Sequence, residues 1–309
     1  MARGTKDEKN AATLVGRPKT SAVKRFISQW LGRSLCAAES ETCPRNQPVV
    51  SAKVVYLTES NTLAWKRLTS GALAQRPRLP AGTRVYAVGD MHGCADLLSQ
   101  LFTRIDDDLK ARPIAESVQV FLGDYIDRGP SSRQVIDLLI ARRQGHDVVL
   151  LKGNHEDCAL QFFRDHTVLS AWKNIGGLNT LRSYGVTPTR GNDPQSLDKL
   201  AAALNDAMPD SHRRFLQGLA LSFTCGDFFF VHAGVRPHIP LHEQSEQDML
   251  WIREDFLLHE EDFGKVIVHG HTPAREPEVL PNRINIDTGA YATGRLTCLV
   301  LEDDQMHFL

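Results

Sequence analysis

Five short glycine-bearing motifs place metal-binding side chains at intervals along the chain. They are Gly-Asp-Met-His-Gly (89–93), Gly-Asp-Tyr-Ile-Asp-Arg-Gly (123–129), Gly-Asn-His-Glu (153–156), His-Ala-Gly (232–234) and His-Gly-His-Thr (269–272). Together they offer three aspartates, an asparagine and several histidines, a mixed oxygen and nitrogen set suited to hard and borderline divalent cations. Asp90 and His92, one residue apart, can face one cation from a short turn. Asp124 has two oxygens with which to bridge a pair, Asn154 offers an amide oxygen, and His232 and His271 offer imidazole nitrogen. Two cations about 3.5–4 Å apart that share a ligand and a water lower the pKa of that water and clamp a phosphoryl group. Arg128 is a planar donor suited to two phosphate oxygens. His155 stands beside a ligand and can protonate a departing alkoxide, with Asp127 as the partner expected to raise its pKa.

Such ligands converge only if secondary structure delivers them to one place. Three motifs follow apolar runs that read as buried strands, Val85–Val88, Val118–Leu122 and Val148–Leu151. After each motif the apolar spacing turns helical: Leu97 to Leu109, Val135 to Ile140, and Leu160 with Phe162 and Phe163. Pro130 suits a first helical position. The alternation predicts an α/β fold, a largely parallel sheet covered by helices, with ligands in turns at the carboxyl ends of its strands. Residues 165–218 read as helical and polar around the turn-rich Asn174-Ile175-Gly176-Gly177, forming an inserted cap. Strands return at Leu219–Phe223, Phe228–Val231, Val266–Val268, Ile284–Ile286 and Leu296–Leu301, enough for a second sheet against the first.

The rest of the chain narrows the class. At 309 residues, with 42% hydrophobic and 24% charged, it has material for a sizeable core. A net charge of −1 argues against coating nucleic acid, and no nucleic-acid partner is expected. Six cysteines at 36, 43, 94, 158, 225 and 298 include no Cys-x-x-Cys pair, which predicts reduced thiols in a cytoplasm. Cys94 and Cys158, beside metal motifs, read as inert buried thiols rather than a redox switch. No apolar run reaches the ~18 residues of a membrane-spanning helix, and no secretory leader is expected.

Residues 1–35 carry eight Lys/Arg against two acids, a local balance of +6. Within them Val23, Phe26, Ile27, Trp30, Leu31 and Leu35 recur at helical spacing. A basic amphipathic helix suits an anionic membrane surface or a partner's groove; the reading preferred is a helix packed on its own domain, or a poorly ordered tail. Residues 75–82 read as a linker, dividing a basic extension (1–82) from a catalytic domain (83–309).

In order and spacing, Gly-Asp-x-His-Gly, Gly-Asp-x-x-Asp-Arg-Gly and Gly-Asn-His-Glu resemble the signature of the phosphoprotein phosphatase (PPP) family, within the calcineurin-like metallophosphoesterases. The resemblance runs from Arg84 to Leu301 and is greatest to the bacterial and phage branch, which Ile286-Asp287-Thr288-Gly289-Ala290 also resembles. Tyr184-Gly185 and Asn174–Thr180 look like bacterial members of unassigned substrate. It implies a sandwich of two β-sheets flanked by helices, with a dimetal site at one edge. It implies Asp90 and His92 on one metal, Asp124 as the bridge, and Asn154, His232 and His271 on the other. His155 becomes the acid, Asp127 its partner and Arg128 a phosphate contact. Trp251-Ile252-Arg253-Glu254 is similar to a segment whose arginine also meets phosphate, which adds Arg253. His271 rather than His269 precedes Thr272-Pro273, as the family's ligand does, and Glu156 is read as orienting its loop.

The cofactors implied are two divalent ions, manganese first, with iron or zinc also fitting. The activity implied is a serine/threonine protein phosphatase working by direct in-line attack of dimetal-activated hydroxide on a phosphoprotein or small phosphoester. The alternative is a diadenosine tetraphosphate-type nucleotide pyrophosphohydrolase. Members with that activity tend to replace the aspartate of the Asp-Arg pair, and this chain keeps Asp127, so the ester reading is preferred. A catalytically inactive phosphate-binding protein is the third reading, and it should have lost a ligand; none of the expected positions departs from the pattern.

Overall fold

The computed structural model describes residues 76–188 and 194–309. The amphipathic stretch at 23–35 therefore lies outside the described residues, as does most of the 1–82 extension. Three parallel strands, β1 (Thr83–Val88), β2 (Glu116–Phe121) and β3 (Asp147–Leu150), alternate with three helices, α1 (Ala95–Ala111), α2 (Ser132–Arg142) and α3 (Asn154–Phe162). The strands coincide with the three apolar runs to within two residues. All six residues of β1 are buried because both faces of the strand are covered. Tyr86 and Val88 point toward the helices, where Leu98, Leu101, Ile105, Val135 and Ile136 meet them. Val85 and Ala87 point the other way, into an apolar layer shared with the second sheet.

Helices α4 (Leu169–Asn174), α5 (Gly177–Ser183), α6 (Pro194–Ala207) and α7 (Asp210–Gln217) follow, and they extend the helical side of the core through Leu169, Trp172, Leu181, Leu204, Phe215 and Leu216. The chain then builds the second sheet from β4 (Ser222–Cys225), β5 (Phe228–Val231), β6 (Val266–His269), β7 (Glu278–Val279) and β8 (Arg283–Asn285). Between β5 and β6 lie two short helices, α8 (Glu246–Trp251) and α9 (Glu254–Leu257). After β8 come α10 (Ala290–Thr293), β9 (Cys298–Glu302) and β10 (Gln305–Phe308).

Strand order is β10-β9-β1-β2-β3 in one sheet and β4-β5-β6-β8-β7 in the other. Each sheet has three parallel strands, with antiparallel strands added outside them. Phe228 and Phe230 of β5, Val266 and Val268 of β6, and Ile284 of β8 fill the space between the sheets opposite Val85, Ala87, Val120 and Leu122. Alternate residues Phe229, Val231 and Ile267 bury against Met249, Ile252 and Phe256 on the far side. The result is the expected sandwich of two sheets flanked by helices.

Three departures have local causes. The strand read at Leu219–Phe223 pairs regularly only from Ser222, although Ala220 still makes one parallel bridge to Leu151, where the two sheets meet. The sequence reading omits β7 and β10. β7 is two residues long, too short to show a period, whereas β10 is the return strand of a tight hairpin whose buried Met306 and Phe308 alternate with Gln305 and His307. Finally, the end of the segment read as a linker packs on the sandwich: Leu79 is buried in its core, Leu79 N–H donates to Asp303 O (2.9 Å), and Asp227 N–H donates to Arg78 O (2.9 Å). Among the described residues no helix is long and apolar enough to cross a membrane.

Phe230 is fully buried between the sheets, with ring centroids 5.9 Å from Phe223 and 6.5 Å from Phe228. Phe230→Ala should cost about 3–5 kcal/mol in urea unfolding. A loss below about 1 kcal/mol would mean that this layer does not hold the two sheets together.

Candidate metal centre

Each parallel strand delivers a polar side chain just beyond its carboxyl end. β1 is followed by Asp90 and His92, β2 by Asp124, and β3 by Asn154 and His155 at the start of α3. From the other sheet come His232 after β5, His271 after β6 and Asp287 after β8. The loops must double back to aim these groups inward. Among the described residues, seven non-glycine positions have positive φ, and five are in this cluster: His92 (41°), Asp124 (51°), Asp127 (71°), Arg128 (61°) and His271 (66°). Backbone strain gathered at one place marks a functional site. Two glycines are demanded by close approach. A Cβ at Gly153 would lie 2.1 Å from Asp124 Oδ1, and one at Gly270 would lie 2.0 Å from Asp90 Oδ1.

Two groups of donor atoms share Asp124. His92, Asp124 and His155 form one, and Asp124, His232 and His271 the other, with the donor atoms of each group within 4.8 Å of one another. Tautomers follow from the outer contacts. His92 Nδ1 donates to Ile126 O (3.0 Å) and His232 Nδ1 donates to Leu122 O (2.9 Å). In the neutral rings each Nε2 is then a bare lone pair. His92 Nε2 faces Asp124 Oδ2 at 3.5 Å, and His232 Nε2 faces Asp124 Oδ1 at 3.4 Å and Asn154 Oδ1 at 2.9 Å. At Asp124 acceptor confronts acceptor, which a proton or a cation between them relieves.

His271 Nδ1 lies 2.9 Å from Asn154 Oδ1, and its Nε2 accepts from Arg253 Nε (3.2 Å). That arrangement puts the ring proton on Nδ1, where a cation would take its place. Asp90 reaches the same corner: its Oδ2 accepts from His271 N–H (3.0 Å), while its buried Oδ1 has no hydrogen-bond partner.

Burial dominates the electrostatics. It lowers the pKa of His92, His155 and His271 well below the imidazole range and that of His232 to about 3, so the rings are neutral, as the expected ligands His92, His232 and His271 must be. It raises Asp90 well above the carboxylate range, with Asp287 and then Asp124 adding repulsion, and raises Asp124 likewise, with Glu156 adding to it. Carboxylates in this state lack positive charge, and divalent cations would supply it. The donor set therefore fits the metal ions that the motifs imply.

The supporting residues divide into two sets. Glu156 accepts four backbone N–H bonds, from Asp124 (2.8 Å), Tyr125 (2.8 Å), Ile126 (3.2 Å) and Gly153 (2.9 Å), so it ties the loop after β2 to the one after β3. His155 Nδ1 lies 2.7 Å from Asp127 Oδ2, and its Nε2 stands 3.6 Å from Asp124 Oδ2. The pair is formed, but the expected direction of its pKa shift is reversed. Complete burial lowers His155 and pushes Asp127 up to about 7, which favours a neutral pair over an ion pair.

At the rim, Arg128 donates to Tyr291 Oη (2.8 Å), and its guanidinium lies 4.8 Å from that ring. Tyr291 also meets His92 edge-on at 5.4 Å between ring centroids. His269 stands apart. Its Nδ1 lies 3.1 Å from Gly270 O, its ring packs on Phe256 at 4.9 Å, and it belongs to neither donor group. Burial pushes the Cys158 thiol well up, and Cys94 is half-buried.

All ten residues selected from sequence lie at this cluster or in contact with it. The reading missed Asp287, Tyr291, Trp172 and Thr180. Asp287 had a signal, because Ile286-Asp287 ends a strand with an aspartate as Gly89-Asp90 does. Trp172 and Thr180 reach Asp127 from 45 and 53 residues away, and no local pattern announces that.

A sequence profile of the calcineurin-like phosphoesterase family matches residues 83–298. The chain is 28% identical over 231 residues to the bis(5'-nucleosyl)-tetraphosphatase PrpE (asymmetrical) of Anoxybacillus flavithermus, an alignment covering 69% of this chain and 88% of that one. It is 29% identical over 234 residues to the protein of the same name from Bacillus mycoides, with coverage of 69% and 88%. A crystal structure assigned provisionally as a diadenosine tetraphosphatase superposes with a TM-score of 0.50 at 21% identity, covering 75% of this chain and 97% of that one, a likeness of fold. Because the profile takes in the parallel strands of both sheets and each loop that carries a donor to the cluster, the chain belongs to the calcineurin-like phosphoesterase family and is a metallophosphoesterase.

Proposed function

We propose that this metallophosphoesterase hydrolyses bis(5'-nucleosyl) tetraphosphates. The observation that carries the proposal is the alignment with named tetraphosphatases over 88% of their own length. This reverses the preference drawn from sequence. The retained Asp127 argued for an ester, yet it bears on the leaving group and not on what surrounds the phosphate. Asp90, His92 and Asp124 would hold one cation, and Asp124, Asn154, His232 and His271 the other, with manganese, iron or zinc all suited to the donors. When bound, the ions supply Lewis acidity and acidify a shared water.

The side chains do the rest. Arg128 and Arg253 flank the cluster and offer guanidinium donors to phosphoryl oxygens, a charge match for a polyphosphate. His155, its Nδ1 turned to Asp127 at 2.7 Å, presents Nε2 toward the cluster; in the neutral pair Asp127 holds the proton facing Nδ1, so Nε2 carries the ring proton and can pass it to the departing oxygen as Nδ1 takes the proton of Asp127. That formed pair favours a second reading, a phosphomonoesterase acting on phosphoproteins, because an alkoxide needs a proton more than a nucleotide does. Six scattered cysteines with no Cys-x-x-Cys spacing are what supports a cytoplasmic setting.

With manganese present, kcat/KM on diadenosine tetraphosphate should exceed that on phosphoserine, phosphothreonine or phosphotyrosine peptides by about tenfold or more, about 1.4 kcal/mol of transition-state binding. The reverse order would restore the protein phosphatase reading. His155→Asn should lower kcat by about 10²–10⁴ for a basic leaving group and much less for an activated one; equal losses on both would remove it as the acid. Gly270→Ala should push the Asp90 carboxylate aside and reduce bound metal, read by elemental analysis of protein whose circular dichroism is unchanged. Full metal content in that variant would take Asp90 out of the ligand set.

A further inference from the structure

The turn between α4 and α5 wraps the second half of the Gly-Asp-Tyr-Ile-Asp-Arg-Gly motif. Trp172 Nε1 donates to Asp127 Oδ2 at 2.7 Å, the same oxygen that meets His155 Nδ1. Thr180 Oγ1 donates to Asp127 Oδ1 at 2.5 Å and accepts from Asp127 N–H at 2.9 Å. Between these two residues, Gly176 O accepts from Arg128 N–H (3.3 Å) and the Asn179 side chain donates to Arg128 O. The fit leaves no slack. Gly176 has φ +105°, and a Cβ there would lie 2.7 Å from Arg128 N, while a Cβ at Gly177 would lie 2.5 Å from the Trp172 ring. Trp172, Thr180 and Asp127 are all buried.

A carboxylate held on one oxygen only can rotate about its Cβ–Cγ bond and lose alignment with its partner. Donors on both oxygens stop that rotation. We propose that Trp172 and Thr180 are positioning residues, which clamp the Asp127 carboxylate from both sides so that His155 keeps its ring plane and its Nδ1 contact. The helical segment after α3 is thereby part of the proton-delivery machinery as well as a cover on the core. The inference rests on the reading of His155 as the acid. A purely structural role, in which the two bonds only satisfy a buried carboxylate, predicts losses of stability without a change in how rate depends on the leaving group.

The test is the slope of log kcat against leaving-group pKa over a series of aryl phosphates, for the wild type, His155→Asn, Trp172→Phe, Thr180→Val and Thr180→Ser. Trp172→Phe and Thr180→Val should steepen the slope toward that of His155→Asn, losing about tenfold on the most basic leaving group and about twofold or less on the most activated, with KM unchanged. Thr180→Ser, which keeps the hydroxyl, should return to the wild-type slope. Wild-type slopes in both variants beside a steepened His155→Asn would overturn the positioning role alone. An unchanged slope in His155→Asn would overturn the acid reading and this inference with it. Should Trp172→Phe fail to fold, the Thr180→Val and Thr180→Ser pair decides by the same criteria.

Discussion

Four carboxylates, Asp90, Asp124, Glu156 and Asp287, are buried together at the ends of six strands, and that concentration of unneutralised charge is the constraint around which the site is built. Burying a carboxylate costs several kcal/mol unless hydrogen bonds or counter-charges offset it. Glu156 meets the requirement with four backbone N–H donors. Asp127, a fifth buried acid, meets it with His155, Trp172 and Thr180. Asp90 and Asp124 do not. One oxygen of Asp90 has no partner, and both oxygens of Asp124 face imidazole lone pairs, with a single backbone N–H, from His155 to Oδ1 (3.2 Å), to offset them. What those two aspartates lack is positive charge at the point where the loops converge.

The sandwich explains why convergence is possible. Parallel strands in each sheet run their carboxyl ends to the same edge, so six independent loops open onto one volume. The apolar layer between the sheets fixes their separation, and with it the reach from Asp124 on one side to His232 and His271 on the other. Left-handed backbone at five of the site residues is the local cost of turning side chains inward. Glu156 offsets part of that cost by holding the Asp124–Ile126 amides in place.

Much of this was legible before any coordinates. β1, β2 and β3 could be read because each ends in an apolar run that is buried at its carboxyl end, and Asp90, Asp124 and Asn154 could be read because each follows such a run at a glycine. What escaped the sequence was either too short or too distant. β7 has two residues, and β10 hid a clear alternation behind a two-residue turn. Trp172 and Thr180 act on Asp127 through tertiary packing that leaves no local period. The direction of the His155 shift was misread for a different reason: the ion-pair argument weighs the partner charge, whereas complete burial of both members outweighs it. Substrate was the least legible property, since the motifs encode chemistry at phosphorus and say little about what the phosphate is attached to.

The proposed chemistry depends on Asp124 being shared by two cations. Crystals loaded with manganese and measured for anomalous scattering address this directly. The prediction is two peaks on either side of the Asp124 carboxylate, one toward His92 and the other among Asn154, His232 and His271. A single peak, or peaks away from these side chains, would contradict it.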